Sequence, residues 1–209
     1  MTTVLLIRHG RSTANTAGVL AGRSPGVNLD ERGETQAVEL AARLMPVHLD
    51  AVVSSPLERT RQTAERLVAG RAETLFEVDE RFTECDYGTW SGRTLKSLAA
   101  LSARAVSAIR AWNAKLGEQA AYAVVSHGDV IKAIAADALG LHLDLFQRIQ
   151  VDPCSLTVVR YHGTRPNVLR INDTGGDVSA LIRKPEPAPE EAGRAGEAGD
   201  APVGGGAGA

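Results

Sequence analysis

The sequence predicts an α/β fold: a three-layer sandwich whose mostly parallel central sheet carries helices on both faces. Three features point to it. Short, continuous apolar runs of buried-strand type recur, among them Thr3–Ile7, Ala51–Ser54, Thr74–Val78 and Ala121–Ser126. Between them lie segments of helical length with an apolar period near 3.6 residues. Strands joined through such helices pair in parallel, and their sheet is then buried on both sides.

Taken in order, the first strand, Thr3–Ile7, is followed by a loop and a helix from Asp30 to Met45. Its Ala37, Leu40, Ala41 and Leu44 fall at i, i+3, i+4 and i+7. After the strand Ala51–Ser54, the stretch Ser55-Pro56-Leu57-Glu58 is expected to open a helix, with a capping box and Pro at the first helical position. Thr74–Val78 is the third strand, and Leu95 to about Leu116 reads as one long helix. Ala121–Ser126 and the helix Asp129–Leu139 complete the alternation. Leu156–Tyr161 and Val168–Asn172 are β-rich and are expected to pair across a Gly163–Pro166 turn. No internal repeat is present.

Composition bounds the rest. The chain has 209 residues, of which 44% are hydrophobic and 23% charged, an ordinary globular balance. It divides into one domain, residues 1–183, and a tail, residues 184–209, rich in Gly, Ala, Pro and Glu. The tail has no apolar period and one large aliphatic residue, Val203, too little to offset its ordering entropy, so it is expected to be disordered. Two basic against five acidic residues leave it at −3, and the domain at +1. A net charge of −2 makes no case for a nucleic-acid partner. No apolar run is long enough to span a bilayer, so no membrane association is expected. Met1-Thr2-Thr3 has no basic leader region, so a cytoplasmic location is expected. Cys85 and Cys154 suit no zinc or redox motif and read as ordinary thiols.

In open α/β sheets, ligands bind beyond the carboxyl ends of the strands. Arg8, His9 and Gly10 follow the first strand, with Arg11, Ser12 and Asn15 beyond. Ser55 and Arg59 follow the second, Glu84 the third after a loop, and His127 and Gly128 the fourth. Each alone has an ordinary structural explanation; their convergence on one sheet edge does not. His48, His142 and His162 have no partners at useful spacing.

The set suits phosphoryl transfer. Arg8 and Arg59 offer planar forks that match phosphate oxygens. Helix N-termini after Ser55 and Gly128 add backbone donors. A neutral His9 is a candidate nucleophile, His127 a further donor to the phosphoryl oxygens, and Glu84 the candidate acid for the leaving group. Gly10 and Gly128 leave room for close backbone approach.

These residues carry a family resemblance. Leu6-Ile7-Arg8-His9-Gly10 with Asn15 resembles the signature of the histidine phosphatase (phosphoglycerate-mutase-like) superfamily. Ser54–Ala64 resembles its second motif, Glu84–Gly92 its acid loop, and Ser126-His127-Gly128-Asp129 its second histidine motif. Leu29–Ala37 is similar to the family's helix entry, and the likeness runs from Thr3 to about Asn172. Gly18–Arg23, together with the tail, resembles an actinobacterial branch that is acid-phosphatase or mutase-like. The resemblance implies that His9 is phosphorylated, that Arg8, Arg59 and His127 form the phosphate pocket with Asn15 and Gly128, and that Glu84 donates the proton. It implies no metal and no cofactor, a small-molecule phosphomonoester as partner, and a monomer or homodimer. Ala21 stands where many mutases place a threonine.

The chain departs from the family in one place. After the acid loop, Trp90–Lys96 runs straight into Leu98–Trp112, so the cover segment near 93–98 is short. A wider, wetter pocket weakens electrostatics, so reduced discrimination between substrates and a low rate are expected. The expected function is metal-independent phosphomonoester hydrolysis. Two alternatives stay open: a phosphoglycerate mutase, and a phosphate-ligand binding module with reduced or lost turnover.

Overall fold

The computed structural model describes residues 1–86, 95–163 and 165–176, with 95–97 described as backbone only. Residues 87–94, which include the start of the expected short cover segment near 93–98, and the tail 184–209 lie outside the described residues.

Six strands form one sheet: β1 (Thr2–Arg8), β2 (Ala51–Ser54), β3 (Leu75–Val78), β4 (Ala121–Ser126), β5 (Leu156–His162) and β6 (Arg165–Asp173). The helices are α1 (Thr13–Thr16), α2 (Glu31–Leu44), α3 (Glu58–Val68), α4 (Leu95–Leu116) and α5 (Gly128–Leu139). Short 3-10 turns cover Glu80–Phe82 and Leu143–Arg148. The spatial order is β3-β2-β4-β1-β5-β6. β1 to β4 pair in parallel, whereas β5 and β6 are antiparallel additions. The architecture is therefore the expected α/β sandwich with a mostly parallel sheet.

β1 shows why its run is apolar throughout. Side chains alternate across a strand, and both faces of this one are covered. Val4 and Leu6 pack with Ile109 and Trp112 of α4 and Ile131 and Ile134 of α5. Leu5 and Ile7 pack with Leu40 and Leu44 of α2 and Leu67 of α3 on the other side. α2 starts where its sequence says: the Asp30 side chain accepts from the Gly33 amide as N-cap.

Two expectations need correction. The helix after β2 does not begin at Ser55. It begins at Glu58, with Leu57 at the cap and no side-chain capping bond. Ser55 still belongs to the sheet edge: its amide donates to Val125 O at 3.0 Å, and its hydroxyl is engaged elsewhere. The last hairpin is also tighter than predicted. His162 pairs with Arg165, leaving a two-residue connection whose Gly163 has φ 53°. Pro166 lies inside β6, which is tolerated because β6 is an edge strand.

Candidate active site

The site is assembled by sheet register. Arg8 of β1 pairs with Ser126 of β4, so the residues that follow, His9 and His127, leave the sheet side by side. Their ring centroids are 5.3 Å apart with planes inclined at 61°. Ser54 of β2 pairs with Val125, which carries Ser55 to the same place. Its Oγ lies 2.8 Å from His127 Nε2. The Cys154 amide, held at φ 57°, donates to Arg8 O at 3.0 Å and fixes the end of β1.

His9 is buried, and its tautomer follows from its partners. Nδ1 lies 2.7 Å from the Gly10 carbonyl oxygen, which can only accept, so Nδ1 carries the proton. Nε2 then presents a lone pair and accepts from Arg59 Nε at 3.3 Å. Burial, reinforced by the Arg59 and Arg8 charges, pushes the His9 pKa down to about 3, against a smaller upward pull from the Gly10 carbonyl. The ring is neutral at any ordinary pH. His127 is fully buried and is likewise held well below its usual range, by burial first and then by His9, Arg59, Arg8 and Arg104. Its Nδ1 has no hydrogen-bond partner.

Arg59 sits in the first turn of α3 and is 2% exposed, which for an arginine requires partners. Besides His9, it donates from Nη2 to Gly22 O at 2.8 Å. Thr63, one turn on, accepts from the Gly10 amide and donates to Arg59 O, tying α3 to the loop after β1. Arg8 donates from Nη1 to Val151 O at 2.6 Å. Gly128 faces the Arg8 guanidinium, 3.7 Å from where a Cβ would stand. Gly10 faces the protein rather than open space. A Cβ there would lie 2.6 Å from Gly33 O, so its bareness serves the approach of α2.

Glu84 is buried and lies five residues past Asp79, whose amide donates to Ser54 O. Its Oε1 accepts from the next amide, Cys85 N, at 2.8 Å. Asn15 is exposed, and its Oδ1 accepts from Ser12 N and Ser12 Oγ, completing a capping box on α1. The structure thus brings Arg8, His9, Arg59, His127 and Gly128 into one cluster with Ser55, whose bond to His127 the sequence did not foretell. Arg23 and Arg104, which donate to main-chain carbonyls of the Glu84 segment, were also unforeseen. Both thiols are free and buried, and burial pushes Cys154 up to about 12. Among the described residues, no group of three or more His, Cys, Asp or Glu could hold a metal ion, and no helix is long and apolar enough to cross a membrane.

Comparison with known proteins agrees with this geometry. Residues 4–100 and 95–174 match the model of the histidine phosphatase superfamily (branch 1). The chain is 29% identical over 208 residues to the probable phosphoglycerate mutase GpmB of Erwinia tasmaniensis, spanning 87% of this chain and 95% of that one. It is 29% identical over 205 residues to phosphoserine phosphatase 1 of Hydrogenobacter thermophilus, spanning 83% and 93%. Among solved structures, Bacillus stearothermophilus YhfR superposes with a TM-score of 0.74 at 25% identity, covering 87% of this chain and 100% of that one. With a fold, a paired-histidine cluster and a family match that all extend over the same stretch, the chain belongs to the histidine phosphatase superfamily, branch 1.

Proposed function

We propose that this protein is a metal-independent phosphomonoesterase that works through a phosphohistidine on His9, with Glu84 as general acid and then base. The observation that carries the reading is the state of His9: buried, neutral, protonated on Nδ1, with Nε2 against the Arg59 guanidinium. That is the form a nucleophilic imidazole needs.

In the first step the Nε2 lone pair forms the N–P bond as the P–O bond to the organic group breaks. Positive charge then spreads to the Nδ1–H side of the ring, where the Gly10 carbonyl stabilises it. Arg59 passes its Nε–H from the ring nitrogen to a phosphoryl oxygen, and Arg8 shares the developing charge. His127 is held by Ser55 through Nε2, and a phosphoryl oxygen would partner its Nδ1. The leaving alkoxide takes a proton from the Glu84 carboxyl. In the second step a water gives its proton to the Glu84 carboxylate and attacks phosphorus, the P–N bond breaks, and inorganic phosphate leaves. Asn15, through its amide, and Gly128, beside Arg8, complete the phosphate pocket.

The test is p-nitrophenyl phosphate hydrolysis with EDTA present, for wild type and His9→Ala. Turnover that survives EDTA and vanishes in the variant is expected; activity retained by the variant overturns the assignment. The name borne by the Erwinia relative favours a second reading, phosphoglycerate mutase, in which His9 passes the phosphoryl group to another hydroxyl. Isomerisation of 3-phosphoglycerate that depends on a bisphosphoglycerate primer separates the two.

A further inference from the structure

Three successive carbonyls lead up to and include the candidate acid, and each is taken by a side chain from a different part of the fold. Phe82 O accepts from Ser126 Oγ at 2.7 Å. Thr83 O accepts from Arg104 Nη2, and the same guanidinium reaches Glu80 O from Nη1 at 3.3 Å. Glu84 O accepts from Arg23 Nε at 2.8 Å. Ser126 closes β4, Arg104 lies on α4, and Arg23 lies in the loop before α2.

The consequence follows from the planarity of the peptide bond. Holding the Thr83 carbonyl holds the plane that also contains the Glu84 amide. Holding the Glu84 carbonyl holds the plane that contains the Cys85 amide, and that amide donates to Glu84 Oε1 at 2.8 Å. The two guanidinium groups therefore fix the two peptide planes that flank the Glu84 Cα, and with them both backbone torsions of this residue. Turning either plane moves the carboxyl group.

The geometry points to Arg23 and Arg104 as positioning residues that aim Glu84 at the leaving group, an inference that rests on Glu84 being the general acid. The arrangement is not what packing alone would favour. The charge on Arg104 is disfavoured by burial first and by Arg23 next, with Cys85, Glu84 and Glu80 offsetting. Two like charges share one small region, and what they share is the backbone of a single carboxylate. Arg23 also couples this segment to the phosphate pocket, because the preceding residue, Gly22, accepts from Arg59.

The experiment compares an alkyl phosphate, glycerol 2-phosphate, with p-nitrophenyl phosphate, whose leaving group needs little protonation. Variants are Arg23→Gln, Arg104→Gln, Arg104→Lys, Glu84→Gln and the double Arg23→Gln/Glu84→Gln, each checked for fold by circular dichroism. A misplacement near 1 Å costs about 100-fold, so Arg23→Gln and Arg104→Gln are expected to lower kcat on the alkyl ester by about 10- to 100-fold. The aryl ester should change by less than about 3-fold, with KM little altered for both. Arg104→Lys should recover part of the loss, and Arg23→Gln should add nothing in the Glu84→Gln background. A selective Glu84→Gln with Arg23→Gln acting equally on both esters, or adding to Glu84→Gln, overturns the positioning role alone. A Glu84→Gln that leaves the alkyl-to-aryl ratio unchanged overturns the acid assignment and this role with it. Arg23 lies in an exposed loop, so its variant remains informative even where an α4 variant fails to fold.

Discussion

His9→Asn tests the electrostatic state of the site without any substrate. In the unfolded chain His9 binds a proton near its ordinary pKa of 6.5, but in the folded protein only near 3. Between these values the unfolded state holds more protons, so stability rises with pH. The contribution of this group is complete above about pH 6.5 and is lost as pH falls toward 3. Each pH unit is worth about 1.36 kcal/mol, so lowering the pH from about 7 to about 4.5 should cost roughly 2.5 kcal/mol through His9 alone. His127 contributes in the same direction, but it is present in both proteins. The assay is urea unfolding of wild type and His9→Asn at the two pH values, comparing the drop in stability of each. Any fixed cost of the substitution cancels in that comparison. Wild type should lose about 2.5 kcal/mol more than the variant. A difference below about 1 kcal/mol would mean that the ring is solvated or already charged, and the resting neutral nucleophile would be refuted.

Two further outcomes test the frame around the site. Gly33→Ala places a Cβ 1.9 Å from Arg11 O, a backbone atom with no rotamer to escape into. It should cost roughly 3 kcal/mol or more and lower Tm by about 6 to 12 °C in a melt; an unchanged melt would mean that α2 does not approach the loop so closely. Ser55→Ala leaves His127 Nε2 buried without its partner, so it should cost about 1–3 kcal/mol by urea unfolding and reduce kcat. Full activity in this variant would remove Ser55 from the orientation of His127.

The fold was legible because its signals are local. Val4 to Ile7 could only be a strand buried on both faces, and the Ala37–Leu44 spacing could only be one face of a helix. The clustering of His9 with His127 was legible because strand ends in a parallel sheet meet at one edge. Ser55 was misread as a helix cap because a serine three residues before a glutamate looks the same whether its hydroxyl serves the helix or a distant ring. Here His127, 72 residues away in sequence, is the partner. Asn15 was expected to face phosphate, and part of its side chain is instead committed to capping Ser12. Arg23 and Arg104 left no trace, since they bind main-chain carbonyls, which every residue has. Pro166 hid the start of β6, because a proline interrupts a strand pattern even where an edge strand can hold it.

The strand order has a bearing on how the molecule comes to exist. β1 is made first, yet it lies in the interior of the sheet between β4 and β5. Thr3 pairs with Ala121 and Val4 with Val159, so the earliest strand has no hydrogen-bonding partner until most of the described chain has left the ribosome. Contacts of such sequence separation close late and slowly. Until they close, the Val4–Ile7 run is an unprotected apolar edge, the kind of segment that chaperones hold and aggregates recruit. Release or truncation of the nascent chain before β4 would leave this strand unpaired. His9 and His127 leave the two strands joined in that late step, so recovery of activity after dilution from denaturant would report the completed sheet, with no earlier species carrying the site.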